Sequence, residues 1–240
     1  AARPSMGKTS LALDIARGVA AKEKVAVGIF SLEMSKEQLV DRLISSHTGI
    51  DLWKLRTGRL VEDPDGGPSD FDRLREGMSE LSEAPIFIDD SGSANIMEIR
   101  TKARRLQIER GLGLLIIDYL QLMEGRGGNS NDGRVQEVSE ISSSLKAIAR
   151  ELNIPVIALS QLSRASEARV PAIPKLSDLR ESGSIEQDAD VVMFLYREDD
   201  EDRSNVKLSI SKHRNGPTGE IDLYFKGEQT KFYEAEKLRV

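Results

Sequence analysis

The feature that most constrains this chain is its first turn, Ala2-Arg3-Pro4-Ser5-Met6-Gly7-Lys8-Thr9, which runs directly into the helical pattern Ser10-Leu11-Ala12-Leu13-Asp14-Ile15-Ala16. It matches G-x-x-x-x-G-K-[ST] at every fixed position except the first glycine, which is Ala2. A loop of this kind wraps phosphates with backbone N–H groups and points the positive end of the following helix at them. Pro4, Ser5, Met6, Gly7, Lys8, Thr9 and Ser10 are therefore the candidate nucleotide-binding residues. Lys8 would reach the β- and γ-phosphates, and the Thr9 hydroxyl would hold Mg²⁺. A Gly-Lys-Thr at an ordinary helix start is the competing reading. Such a loop joins a strand to a helix, yet only Ala1 precedes it. The leading strand is therefore expected upstream of this sequence.

Apolar runs of strand length recur after the loop. Val25 to Leu32, Ile86 to Asp89, Leu114 to Asp118 and Pro155 to Leu159 read as strands, three of them continuous enough to be buried on both faces. Helical patterns alternate with them over about Gly7–Ala21, Ser35–His47, Ala94–Arg110 and Val135–Leu152, with shorter helices at Asp51–Arg56 and Asp70–Leu81. Ser35 with Gln38 forms a capping-box signature. Ile96, Ile99, Ala103, Leu106 and Ile108 are expected to form one apolar stripe. Val135, Val138, Ile141, Leu145, Ile148 and Leu152 are expected to form another. Gly125–Gly133 and Ser163–Lys175 read as loops. A run over Ala189–Tyr196, then Val206–Ser211 and Glu220–Phe225, closes the chain with hairpin chemistry at Gly216-Pro217-Thr218-Gly219. The fold class is α/β, with a mostly parallel sheet flanked by helices and antiparallel edge strands at the C-terminal end. Residues 1–240 form one domain.

Composition narrows the function. The 240 residues are 39% hydrophobic and 31% charged, with no run long enough to span a bilayer. The absence of cysteine rules out disulfides and thiolate metal sites, fits a cytoplasmic location, and with only two histidines argues against zinc. A net charge of −6 excludes a protein coated in basic surface, so any nucleic-acid contact must be local.

Asp118 closes a buried strand at the sheet edge where open α/β sheets bind ligands. There it could hold Mg²⁺ opposite Thr9; a strand-end cap is the alternative. Tyr119 follows it where a catalytic glutamate often stands. Glu33, just past the strand ending at Leu32, is the candidate base to orient water, against a solvent-facing glutamate. Gln161 follows the Pro155–Leu159 strand similarly and could sense a γ-phosphate or be a plain loop residue. Lys212 and Arg214 lie on a hairpin far along the chain. They are either a solvated basic turn or cations offered to a neighbouring subunit's phosphate.

Several blocks stand in a fixed order: Ala2 to Thr9, Ser31-Leu32-Glu33-Met34, Ile117-Asp118-Tyr119-Leu120-Gln121-Leu122, Leu159 to Arg164, Ser177 to Asp190, and Lys212-His213-Arg214-Asn215-Gly216. In them the chain resembles the bacterial DnaB-type replicative helicases, which share the Ala2 departure. The resemblance implies a RecA-like P-loop motor domain in a homo-hexameric ring that burns ATP with Mg²⁺ to move on single-stranded DNA and unwind duplex. Carried over, Lys8 and Thr9 bind phosphate and Mg²⁺, Asp118 is the Walker B acid, Glu33 the base and Gln161 the sensor. Lys212 and Arg214 complete the adjacent subunit's site, and Arg42 faces the nucleotide. Arg180, Glu181 and Gly183 resemble the strand-gripping loop, with Arg164 and the Gly125–Gly133 loop also facing the channel. Arg164, Arg169 and Lys175 against Glu167 give the second loop a modest positive balance, suited to a grip repeated around a ring. Primase and a helicase loader are implied partners through parts outside this sequence, and no membrane is implied. The competing class is a RecA- or RadA-like recombinase that forms filaments on DNA.

Overall fold

A computed structural model describes residues 1–62, 67–92, 95–123, 131–162, 173–179, 183–199 and 202–235, with the side chains of 131–134 left aside. The loop hands over to α1 (Lys8–Arg17), which runs on as a wider π turn through Gly18–Lys22. Four strands follow in the sheet order β2-β1-β3-β4, all parallel: β1 (Ala26–Ser31), β2 (Ile86–Asp89), β3 (Leu112–Asp118) and β4 (Val156–Ala158).

The unbroken apolar character of β1 and β3 is explained by helices on both faces. Val27, Ile29, Leu114 and Ile116 pack with Ala12, Leu13 and Ala16 of α1 and with Leu39 and Leu43 of α2 (Lys36–Thr48). Phe30, Leu115 and Ile117 turn the other way, onto Ile99 and Ala103 of α5 (Ile96–Arg110) and Ile141, Leu145 and Ile148 of α6 (Asn131–Leu152). Residues of successive position face opposite sides, as the two-residue strand period requires. The short α3 (Leu52–Thr57) and α4 (Asp70–Glu83) extend the α2 side. The expected capping box at Ser35 is present: its hydroxyl accepts from the Gln38 N–H, and Gln38 Oε1 accepts from the Ser35 N–H at 3.3 Å.

A second, antiparallel sheet contains β5 (Val191–Tyr196), β6 (Asn205–His213), β7 (Gly219–Lys226) and β8 (Lys231–Glu234). Ala1 and Ala2 stitch it to the first. Ala2 N–H donates to the Ser160 carbonyl (3.2 Å), Leu162 N–H to the Ala2 carbonyl (3.1 Å), and Leu195 N–H to the Ala1 carbonyl (3.0 Å). Ala2 is bridged in parallel to both Gln161 and Leu195. A cavity of about 460 Å³, lined largely by apolar residues of α1, α6, β4 and β5, lies along this seam.

Three expectations need correction. Ile108 is 86% exposed, two residues beyond Leu106 and off the buried i, i+3, i+4 series of α5. Val135 is 48% exposed, so the buried stripe of α6 starts at Val138. That helix begins at Asn131, inside the stretch read as a loop through Gly133. Among the described residues, the sequence reading gives no sign of β8 or of the six-residue α7 (Gly183–Asp188), whose single buried residue is Ile185.

Candidate active site at the edge of the parallel sheet

Thr9, Asp118 and the turn after β1 meet because of strand register. Ser31 of β1 pairs with Asp118 of β3, and Leu32 N–H donates to the Asp118 carbonyl at 2.7 Å. Glu33 therefore sits one step past that carbonyl. Ser31, 2% exposed, folds the turn: its hydroxyl donates to the Met34 carbonyl (2.7 Å) and accepts from the Met34 N–H (3.2 Å). Sequence reasoning did not single out Ser31, although its side chain fixes the turn that carries Glu33.

Across this edge lies the loop. Gly7 holds φ 84°, and a Cβ there would come within 2.9 Å of Phe232 Cζ on β8, so glycine answers both the backbone and the close approach. Pro4 and Ser5 are exposed, Met6 and Ser10 buried, with Met6 in an apolar cluster beside Ala2, Leu195 and Val206. The loop is thus pinned at both ends while its tip faces out.

The Thr9 hydroxyl donates to Asp118 Oδ2 at 2.7 Å. Asp118 is 2% exposed, and its other oxygen, Oδ1, has no hydrogen-bond partner among the described residues. An ionised carboxylate oxygen left bare in a buried position is costly unless a cation or donor meets it. One hydroxyl and one carboxylate are hard oxygen donors of the kind Mg²⁺ takes when phosphate oxygens and water supply the rest.

Lys8 lies in the same neighbourhood, its ammonium 4.5 Å from the Tyr119 ring centroid. Burial pulls the Lys8 pKa below its ordinary value, while Asp118 and Glu33 pull it back up. Burial also lowers the Arg42 pKa, with Arg56 adding to the effect and Asp118 and Glu33 opposing it; the Arg42 Nε is buried with no partner among the described residues. The Tyr119 hydroxyl is raised by burial, then by Glu33 and Asp118. Lys8, Thr9, Glu33, Arg42 and Asp118 therefore form one electrostatic group. Gln161 joins the same edge through its bridge to Ala2. Its N–H donates to Gln121 Oε1 (3.2 Å), and Gln121 Nε2 donates to Ser160 Oγ (2.8 Å), so Gln121 is a second positioning residue that the sequence reading left without a role.

Lys212 and Arg214 are not in this group. His213 pairs with Val191, four residues back along β5 from the Leu195 that touches Ala2, or about 13 Å at strand rise. The Lys212 ammonium donates to the Glu186 carbonyl, and Arg214 Nη2 to the Gln187 carbonyl at 3.0 Å. Both cations cap the C-terminal end of α7, where the helix dipole favours positive charge. Gly183 opens that helix and is exposed. Arg164, Arg180 and Glu181 lie outside the described residues, as do residues 125–130 of the first expected loop and 163–172 of the second.

A parallel sheet covered on both faces, with a glycine-lysine-threonine loop at its carboxyl edge facing a strand-end aspartate, defines a RecA-like α/β domain of the P-loop class. The model of the DnaB-like helicase C-terminal domain matches residues 1–234, and the chain belongs to that family. It is 52% identical over 242 residues to the replicative DNA helicase DnaB of Geobacillus stearothermophilus, covering 99% of this chain and 52% of that protein. It is also 52% identical to the replicative DNA helicase DnaC of Bacillus subtilis, with the same coverage. The chain thus spans about half the length of these curated relatives. A solved ATPase domain superposes with a TM-score of 0.88 at 40% identity, over 97% of this chain and 82% of that one. A DnaB-like replicative helicase, solved in a study of its interactions with primase, gives 0.86 at 40% identity over 96% of this chain and 56% of that one. The recombinase alternative is not favoured. No helix among the described residues is long and apolar enough to cross a membrane.

Proposed function

We propose that the chain is the ATP-hydrolysing motor domain of a replicative DNA helicase, acting in the cytoplasm. In this reading it works in a homo-hexameric ring that translocates on single-stranded DNA and unwinds duplex. The observation that carries this reading is the pairing of Thr9 with Asp118 beside Lys8, with Asp118 Oδ1 unpartnered among the described residues.

The backbone N–H groups of Pro4 to Ser10 (Pro4 excepted, which has none) and the N-terminal end of α1 receive the phosphates. Lys8 leaves the Tyr119 ring for the β- and γ-phosphate oxygens. Thr9 and Asp118 would hold Mg²⁺, which would supply charge neutralisation to the phosphates. Glu33 takes a proton from water as that water attacks the γ-phosphorus. The bond to the β–γ bridging oxygen breaks, leaving ADP and inorganic phosphate. Arg42 faces the nucleotide. Gln161 hydrogen-bonds the γ-phosphate and reports its loss to the segment that follows. Lys212 and Arg214 of one subunit reach the γ-phosphate held by the next, supplying charge where the transition state develops it. Arg164, Arg180, Glu181 and Gly183 grip the DNA backbone. The intact protein also meets primase and a loader outside the region described.

The experiment is a forked-duplex assay with ATP and Mg²⁺, alongside phosphate release with and without single-stranded DNA. A helicase motor separates the fork and turns over faster on single strands. A protein that instead anneals or exchanges strands on an open filament would overturn the reading.

A further inference from the structure

Asp190, between α7 and β5, contacts Arg214 through both its side chain and its backbone. One carboxylate oxygen, Oδ1, lies 3.4 Å from Arg214 Nη1, and the other accepts from the Lys146 ammonium on α6. The Asp190 carbonyl accepts the Arg214 N–H at 2.8 Å. Arg150, one turn after Lys146, also acts on this carboxylate. Asp190 therefore holds Arg214 at two points, side chain and backbone, while sharing its charge with cations from α6.

Two physical consequences follow. An arginine side chain left free at 47% exposure would spread over many rotamers, and a cation that must meet a phosphoryl group on another subunit loses rate when displaced by even an ångström. Secondly, the contact uses one carboxylate oxygen rather than the two-pronged pairing that arginine and carboxylate commonly form. Lys146 occupies the second oxygen, so the guanidinium, which also donates from Nη2 to the Gln187 carbonyl at 3.0 Å, keeps its remaining N–H donors for an incoming phosphate. A closed, two-pronged pair would point those donors back into its own subunit.

We infer that Asp190 is a positioning residue that sets the reach of Arg214 toward the neighbouring subunit, with Lys146 preventing it from capturing that arginine. This rests on the reading of Arg214 as a cation supplied in trans, and the test separates the two. In the intact protein, Asp190→Asn should lower kcat for ATP about tenfold with KM and nucleotide affinity unchanged, and Asp190→Glu should recover part of the loss. Co-assembling Asp190→Asn with Lys8→Ala subunits should restore turnover toward about half of the wild-type rate per intact loop, because half of those loops then meet a neighbour with a properly set arginine. A purely structural defect would not be relieved by a partner. An unchanged kcat in Asp190→Asn overturns the inference. So does a loss that mixing leaves in place while Arg214→Ala subunits are rescued by the same partner. If Arg214→Ala is not rescued either, the trans reading itself falls and takes the inference with it.

Discussion

The two sheets of this molecule treat their charged residues differently. Along the parallel sheet, Lys8, Thr9, Glu33, Arg42 and Asp118 converge from four separate stretches of chain onto one edge, and a buried carboxylate oxygen there has no donor among the described residues. Along the antiparallel sheet, Lys212 and Arg214 are satisfied by carbonyls of α7 and by Asp190, about 13 Å back along the strand direction from the loop. The first group has the geometry of a receptor. The second is a cation pair at the C-terminal end of α7, apart from the first group. On the proposed reading, the site is completed by a neighbouring copy and turnover requires assembly.

Breaking the receptor should have the largest effect. Lys8→Ala is expected to lower ATP turnover by at least about three orders of magnitude, measured as phosphate release, because both phosphate binding and charge stabilisation go with it. Breaking the donor comes next. Arg214→Ala should cost on the order of 10³ in kcat while a fluorescent nucleotide still binds with near wild-type affinity. Equal loss of binding would place Arg214 in its own subunit's site.

The junction between the halves gives a smaller effect. Phe232 lies against Gly7 and 4.5 Å from Phe225, and its N–H donates to Asp14 Oδ2 on α1 at 2.8 Å. Phe232→Ala should lower unfolding stability by about 2 kcal/mol and weaken nucleotide binding by loosening the loop, read by denaturant titration and by nucleotide affinity.

The smallest effect sharpens the receptor side alone. Burial lowers the Lys8 pKa, so its ammonium is lost at a lower pH than an ordinary lysine's. Bound triphosphate favours the charged form, so binding takes up a proton once the pH exceeds the pKa of free Lys8. Nucleotide affinity should therefore fall, by a few-fold, as pH rises through that lowered value. Lys8→Arg should flatten the dependence, and an unchanged slope would remove Lys8 from the binding equilibrium.

Much of this arrangement could be read from the chain. The runs around Val27 and Leu115 announced strands covered on both faces, and Ser35 with Gln38 announced the start of α2; the run around Ile157 announced a strand, but β4 lies at the sheet edge and is only partly buried. Asp118 could be placed at the ligand edge because four apolar residues lead straight to it. Other parts were hidden for physical reasons. In α7, Gly-Ser-Ile-Glu-Gln-Asp has one buried side chain and no periodicity to detect. The start of α6, Asn131-Asp132-Gly133, is poor in helix formers, so local propensity points to a loop where the chain is helical. The short β8, Lys-Phe-Tyr-Glu, offers four residues and gains its place from pairing with β7 and packing on Gly7. The roles of Ser31, Gln121 and Asp190 depend on strand register and on contacts across long sequence separations, which local pattern does not encode.

Mixing two inactive proteins tests the divided site most directly. Lys8→Ala subunits lack a working receptor but keep the donor; Arg214→Ala subunits have the reverse defect. Co-assembled in equal amounts, they should regain ATP turnover well above the sum of the two alone, since intact loops then face intact arginines. Turnover that stays at that sum, with mixed oligomers verified by mass, would contradict a site completed by the neighbouring subunit.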